Sequence, residues 1–122
     1  MGVRGYFAMA RDIGKAAANM LLGKKPDPTA KFAAYDSSPF LLEVNNFYQI
    51  SNMGSVIAGT VLRGSLVPGT KVKLMPAGKE RRVISIEYDE EKVHKALEGM
   101  DIGVFVDGVG QEDILPDSVL TF

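Results

Sequence analysis

Any catalytic site in this 122-residue chain must be assembled from fifteen carboxylates, one histidine and no cysteine. Asp89, Glu90 and Glu91 are adjacent, and Glu112-Asp113 form a second acidic pair. Paired carboxyls do glycosidase chemistry only when they face one cleft about 5 to 9 Å apart, and adjacency in a polar turn does not arrange that. His94 has no identifiable partner as a base, and Ser37, Ser38, Ser51, Ser55 and Ser65 lack the context of a nucleophile elbow. The absence of cysteine excludes disulfides, thiolate metal sites and a cysteine nucleophile, and a lone histidine leaves no histidine zinc centre. Gly64 to Lys71 (GSLVPGTK) has glycines five apart, but Thr70-Lys71 inverts the Lys-Ser/Thr order of a phosphate loop, and strand-like residues surround it. The expectation is a protein that is not an enzyme and holds no metal, cofactor or nucleotide.

Cationic side chains offer the other available chemistry. Residues 1–38 carry six Lys/Arg (Arg4, Arg11, Lys15, Lys24, Lys25, Lys31) against three acids, while residues 39–122 carry eight basic and twelve acidic residues. A basic arm on an acidic body suits docking to nucleic acid or an acidic surface, and equally describes a solvated helix face. Within the second part, Arg63, Lys71, Lys73, Lys79, Arg81 and Arg82 are candidates for contacts with RNA phosphates. No apolar run reaches the roughly 18 to 20 residues needed to cross a bilayer, and the start lacks the apolar core of a secretory signal. Tyr6 stands where a myristoylation signal needs Ser or Thr. A mitochondrial transit peptide competes for this basic, alanine-rich start; a cytoplasmic location with no membrane partner is the default.

These side chains need elements to position them. Tyr6, Met9, Ala10, Ile13, Ala17, Met20 and Leu21 recur every three or four residues, which predicts an amphipathic helix over 6–22. Gly23 suits its C-cap and Pro26 blocks continuation. A helix this short is marginal alone in water, so Tyr6, Ile13, Ala17 and Met20 are expected to meet the rest of the chain, a second copy or a protein partner. Residues 24–38, with two prolines, read as a linker that Phe32 and Tyr35 could anchor. From Pro39 the period changes to two, predicting strands near 40–50, 54–63, 71–75, 81–88, 92–97, 102–107 and 118–122. Val67-Pro68-Gly69-Thr70 has the Pro and Gly of a type II turn, and turns are also expected at Pro76 to Lys79 and Leu115 to Ser118. The organisation expected is a basic helix and linker over 1–38 and an all-β, small closed Greek-key barrel over 39–122.

The run PFLLEVNNFYQISNMGSVIAGTVLRGSLVPGTKVKLMP (39–76) resembles the opening of domain II of elongation factor Tu and its relatives. It carries the leading Pro-Phe and the spaced Gly54, Val56, Gly59, Val61, Gly64 and Gly69. VISIEYDEEKVHKALEGMDIGVFVDGV (83–109) is similar to the family's next block, with an Ile-Glu pair and Gly99, Asp101 and Gly103 near the expected turn; QEDIL then leads to the last strand. The likeness extends through the whole barrel. One departure is Asp117, in place of a glycine before the final strand.

The resemblance implies a translation-type barrel, here without the family's GTPase domain, that docks to the ribosome or RNA. It also implies a pocket for the terminal adenosine of aminoacyl-tRNA at Ile50, Asn52, Val56, Glu87, Glu90 and Phe105. Ile50, Val56 and Phe105 would offer a base an apolar surface, and Glu87 would accept hydrogen bonds from adenine or ribose. The same residue types also make plain core and capped turns. Two departures lie at this pocket: Asn52 replaces the usual glycine, and the acidic Asp89-Glu90-Glu91 replaces the usual basic rim. The second surface that the resemblance implies, leaning on the small ribosomal subunit, carries the six Lys/Arg named above. The alternative function is a protein-interaction or oligomerisation module that works through the amino-terminal helix, with the barrel as scaffold.

Overall fold

The computed structural model describes residues 27–50 and 54–122. The chain divides into two compact units, Met1–Ala33 and Ala34–Phe122. The helix expected over 6–22, with Tyr6, Ile13, Ala17 and Met20, lies outside the described residues, as does Asn52. Where the sequence reads as extended linker, Ala30–Tyr35 forms a short 3-10 turn instead. The Asp27 carboxylate accepts hydrogen bonds from the Thr29 amide (2.9 Å) and hydroxyl (2.8 Å), and Ala30 N–H donates to the Asp27 carbonyl, so an aspartate-led turn starts that helical winding.

Eight antiparallel strands follow: β1 (Leu41–Ile50), β2 (Gly54–Arg63), β3 (Lys71–Met75), β4 (Lys79–Arg82), β5 (Ser85–Tyr88), β6 (Glu91–Val93), β7 (Asp101–Val106) and β8 (Val119–Thr121). Their spatial order is β4-β3-β8-β1-β2-β7-β5-β6, and together they build a β-barrel. Period-two alternation sets the faces: in β7, Ile102, Val104 and Val106 are buried while Asp101, Gly103 and Phe105 are half-buried. In β3, Val72 and Leu74 point inward between Lys71, Lys73 and Met75. The interior gathers Phe40, Leu42, Ile57, Val61, Leu66, Leu74, Ile86, Val104 and Leu120, each 1% exposed or less. Each such side chain contributes about 1.5 to 3 kcal/mol by leaving water.

Buried polar groups are satisfied: Ser55 Oγ donates to the Val109 carbonyl (2.6 Å) and Thr121 Oγ1 to the Phe40 carbonyl (3.1 Å). Among the described residues no buried side-chain polar atom lacks a partner.

The segment expected as one strand over 81–88 is two. Its β4 half pairs with β3 and its β5 half with β7. Between them, Val83 exchanges hydrogen bonds with Thr70 (2.9 Å) and Gly69 (2.8 Å) on one side, and Ile84 N–H donates to the Phe105 carbonyl (2.7 Å) on the other. Leu66 and Ala96 form a further bridge, with bonds of 3.0 and 2.8 Å, where a strand over 92–97 was expected to continue.

The turns obey their chemistry. Gly69 has φ +92°, and Thr70 N–H reaches the Val67 carbonyl at 3.3 Å, the type II geometry that Pro68-Gly69 predicts. Asp117, in the glycine's place, adopts φ +61° while Ser118 N–H donates to the Leu115 carbonyl, so the aspartate takes the left-handed conformation itself. Asp89 and Glu90, at φ +56° and +68°, are the paired left-handed residues of the tight β5–β6 hairpin.

Candidate functional site

The six barrel cations divide into two groups by the strand pleat and by what lies at the strand ends. In the β3–β4 hairpin, Arg81 is the partner of Val72 and Lys79 of Leu74, so both start from the inner side of the sheet. Both then reach the loop after β7. Lys79 Nζ donates to Asp113 Oδ2 (2.7 Å) and the Gly108 carbonyl (3.1 Å), and Arg81 Nε to the Asp107 carbonyl (3.0 Å). Arg63, ending β2, donates to the carbonyls of Tyr35 (3.2 Å) and Ser38 (2.9 Å), with Asp36 at 3.7 Å. These three cations tie loops to the barrel.

Lys71, Lys73 and Arg82 form the other group. Lys71 is the cross-strand partner of Arg82, and Lys73 lies one pleat further along beside Glu80 and Thr121. They share the outer face; Lys71 and Arg82 are exposed and Lys73 half-buried. Arg82 donates to the Gly69 carbonyl at 2.7 Å, which steadies its guanidinium without neutralising it. None of the three forms an ion pair with a carboxylate among the described residues, Glu80 across from Lys73 included.

The implied acceptor-end residues lie on a different outer face. Tyr48, Val56, Phe105 and Ser85 are successive cross-strand partners on β1, β2, β7 and β5. The next row is Asn46, Ala58, Gly103, Glu87 and Lys92. Val56 and Phe105 are therefore direct neighbours, and Glu87 stands beside Gly103. Ile50 lies one step beyond Tyr48 opposite Gly54, and Glu90 is at the β5–β6 turn.

Ala58 and Gly103 leave a shallow floor between the larger side chains; a Cβ on Gly103 would approach Val56 Cγ1 to 3.2 Å. Ile50 is 36% and Tyr48 45% exposed, whereas Val56 between β1 and β7 is buried at 8%, so the apolar edge of this face on β1 is open to solvent. Beyond this floor, Asn45 Nδ2 donates to Thr60 Oγ1 (3.2 Å), which donates to Asp101 Oδ1 (2.6 Å).

Tyr48 and the Ala58–Gly103 floor are the residues that sequence reasoning missed. Tyr48 is two residues from Ile50 and so in its phase, a signal the alternation carried; the floor needed the register between β2 and β7.

Glu90 and Glu91 are exposed at the β5–β6 turn. Asp113 accepts hydrogen bonds from the Gly110 amide (2.9 Å) and from Lys79, which together hold its carboxyl below the ordinary carboxylate range, the amide being the larger cause. Among the described residues no cluster of His, Asp and Glu gathers in metal-binding number, and no helix is long and apolar enough to cross a membrane.

The antiparallel strands match translation-factor β-barrel domains. No family model matches the chain. Elongation factor 1-alpha of Methanosphaerula palustris is 40% identical over 92 residues, covering 75% of this chain and 20% of that protein. Elongation factor 1-alpha of Saccharolobus solfataricus is 42% identical over 76 residues, covering 62% of this chain and 18% of its own. The apo crystal structure of translation elongation factor SelB from Methanococcus maripaludis superposes with a TM-score of 0.65 at 29% identity, over 70% of this chain and 19% of that one. A bacterial selenocysteine-specific elongation factor, EF-Sec, shares the fold at TM-score 0.65 and 20% identity, over 90% of this chain. The chain belongs to the translation elongation factor Tu domain II-like family of β-barrels. It spans about a fifth of the length of the curated relatives it matches.

Proposed function

We propose that the chain is a translation-associated binding module that acts without catalysis and docks to ribosomal RNA through the outer face of β3 and β4. The observation that carries this reading is the grouping of Lys71, Lys73 and Arg82 on one sheet face, where Glu80 stands across from Lys73 but no ion pair ties any of the three to a carboxylate among the described residues. Cations spread along a strand pair match the spacing of a phosphate backbone, and the contacts release counterions. Kinship with elongation factors supports the setting.

In this reading residues 39–122 form a closed Greek-key barrel. The closure rests on the segment Lys79 to Tyr88, which pairs with β3 on one half and β7 on the other. Residues 1–38 supply a basic arm as a second contact, in the cytoplasm.

Salt-dependent co-sedimentation with ribosomes tests the proposal. The triple change Lys71→Glu, Lys73→Glu and Arg82→Glu abolishes pelleting at moderate salt. Against purified RNA, neutralising the three to alanine flattens the log-affinity against log-salt slope by about two to three, as expected at about 0.7 to 0.9 per lost phosphate contact. Arg63→Ala and Lys79→Ala lower stability and leave that slope unchanged. A slope insensitive to Lys71, Lys73 and Arg82 overturns the reading.

A further inference from the structure

We propose that the outer face of β1, β2 and β7 docks a basic protein segment, which lays an apolar side chain on the Ala58–Gly103 floor. This is a second surface, independent of the cationic face of β3 and β4.

Three features of the face define its occupant. First, apolar side chains are exposed on this face: Tyr48 and Ile50 stand 45% and 36% exposed in the rows beside the small residues Ala58 and Gly103. Exposed apolar groups gathered on one sheet face mark a contact surface more than scattered ones do.

Second, two small residues form the floor. Ala58 and Gly103 are cross-strand partners, flanked by Val56 and Phe105 in the neighbouring row and by Asn46 and Glu87 within their own. A leucine or phenylalanine placed there covers both small residues and packs against the Tyr48 ring, the arrangement of an anchor in a hot spot.

Third, the charge beside the floor is mostly acidic. Glu87 stands next to Gly103, and Asp89 and Glu90 form the following turn, with Lys92 as the cation paired across from Glu87. Asp101 extends the acidic border past the floor. Glu87 and Glu90 have no hydrogen-bond or ion-pair partner among the described residues. A phosphate-bearing strand end brought here meets repulsion, whereas a lysine or arginine flanking the apolar anchor meets carboxylates within a Debye length. The occupant that satisfies both the floor and its border is therefore a cationic peptide with an apolar anchor.

Nuclear magnetic resonance titration of the full chain tests this with three probes. These are a hexapeptide of leucine and phenylalanine flanked by paired lysines, the same peptide with glutamates for lysines, and the RNA trinucleotide cytidylyl-cytidylyl-adenosine. The lysine peptide shifts the amides of Tyr48, Ala58 and Gly103 saturably, and high salt weakens it. Tyr48→Ser, a change at an exposed position, weakens binding about tenfold, and Glu87→Lys with Glu90→Lys does so by a similar factor. The glutamate peptide leaves the spectrum unchanged. Lys71→Glu with Lys73→Glu leaves the lysine peptide's affinity unchanged, which separates this surface from the RNA-docking face. Equal binding of the two peptides, shifts at these amides from the trinucleotide and not from the lysine peptide, or a response carried by Lys71 and Lys73 each overturns the proposal.

Discussion

Asp113 shows how a single side chain here serves the fold where its type and neighbours could suggest chemistry. Its carboxylate holds the Gly110 amide and the Lys79 ammonium at once and closes the loop after β7 onto the β3–β4 hairpin. Both partners favour the ionised form, so the group protonates at lower pH in the folded chain than in the unfolded one. The sign follows: its stabilising contribution is complete above the ordinary carboxylate pKa and is lost as pH falls through the lowered folded value. Asp113→Asn is therefore expected to be less stable than the parent at neutral pH, with the difference shrinking on acidification below the carboxylate range. Urea unfolding midpoints of both proteins, measured from neutral pH down to pH values below that range, check it. A gap that stays constant with pH would mean the contact acts through packing instead of charge.

Among the elements, the β1–β2 ladder carries the sharpest constraint. The register shifts between Val44 and Asn46, and Gly59 sits opposite that bulge. A Cβ on Gly59 would collide with the Glu43 carbonyl oxygen and lie 2.6 Å from Leu42 Cδ2. Gly59 is thus a glycine of close approach, where two strands coil against each other at a barrel corner. Gly59→Ala is expected to lose about 1 to 3 kcal/mol, a drop of several degrees in Tm, because neither the backbone oxygen nor a core leucine has room to yield. Calorimetry measures this; an unchanged Tm would show that the ladder relaxes freely.

The glycine spacing that betrays this corner was legible in the sequence, as were β1, β2 and β3, because alternation and turn residues are local signals. β2 and β3 fall where they were expected, and β1 within a residue. The break at Val83-Ile84 was not legible: no glycine or proline marks it, and it exists because two non-adjacent strands compete for one segment. For the same reason Arg63, Lys79 and Arg81 read as free cations. Only the fold brings the carbonyls of Tyr35, Ser38, Asp107 and Gly108 within their reach.

For the molecule as a whole, the question is whether the barrel unfolds as one body. The strand order ends at β4 and β6, yet β4 and β5 are halves of one extended stretch, and that stretch touches both β3 and β7. The seam depends on few bonds: those of Val83 to Thr70 and Gly69, and that of Ile84 to Phe105. Ile84 is half exposed, so its side chain contributes little while its amide does much. Ile84→Pro removes the donor and strands the Phe105 carbonyl, which costs about 1 kcal/mol or more before the ladder adjusts. Ile84→Ser keeps the amide and is expected to change stability by less than about 0.5 kcal/mol. In the proposed closed barrel, the proline variant loses hydrogen-exchange protection on both sides of the seam, at the Gly69 and Val83 amides as well as along β5 and β7. Loss confined to β5 and β7 would mean that the two flanks are separate leaves, and that the cationic face of β3 and β4 and the apolar face of β2 and β7 are not held in fixed relation.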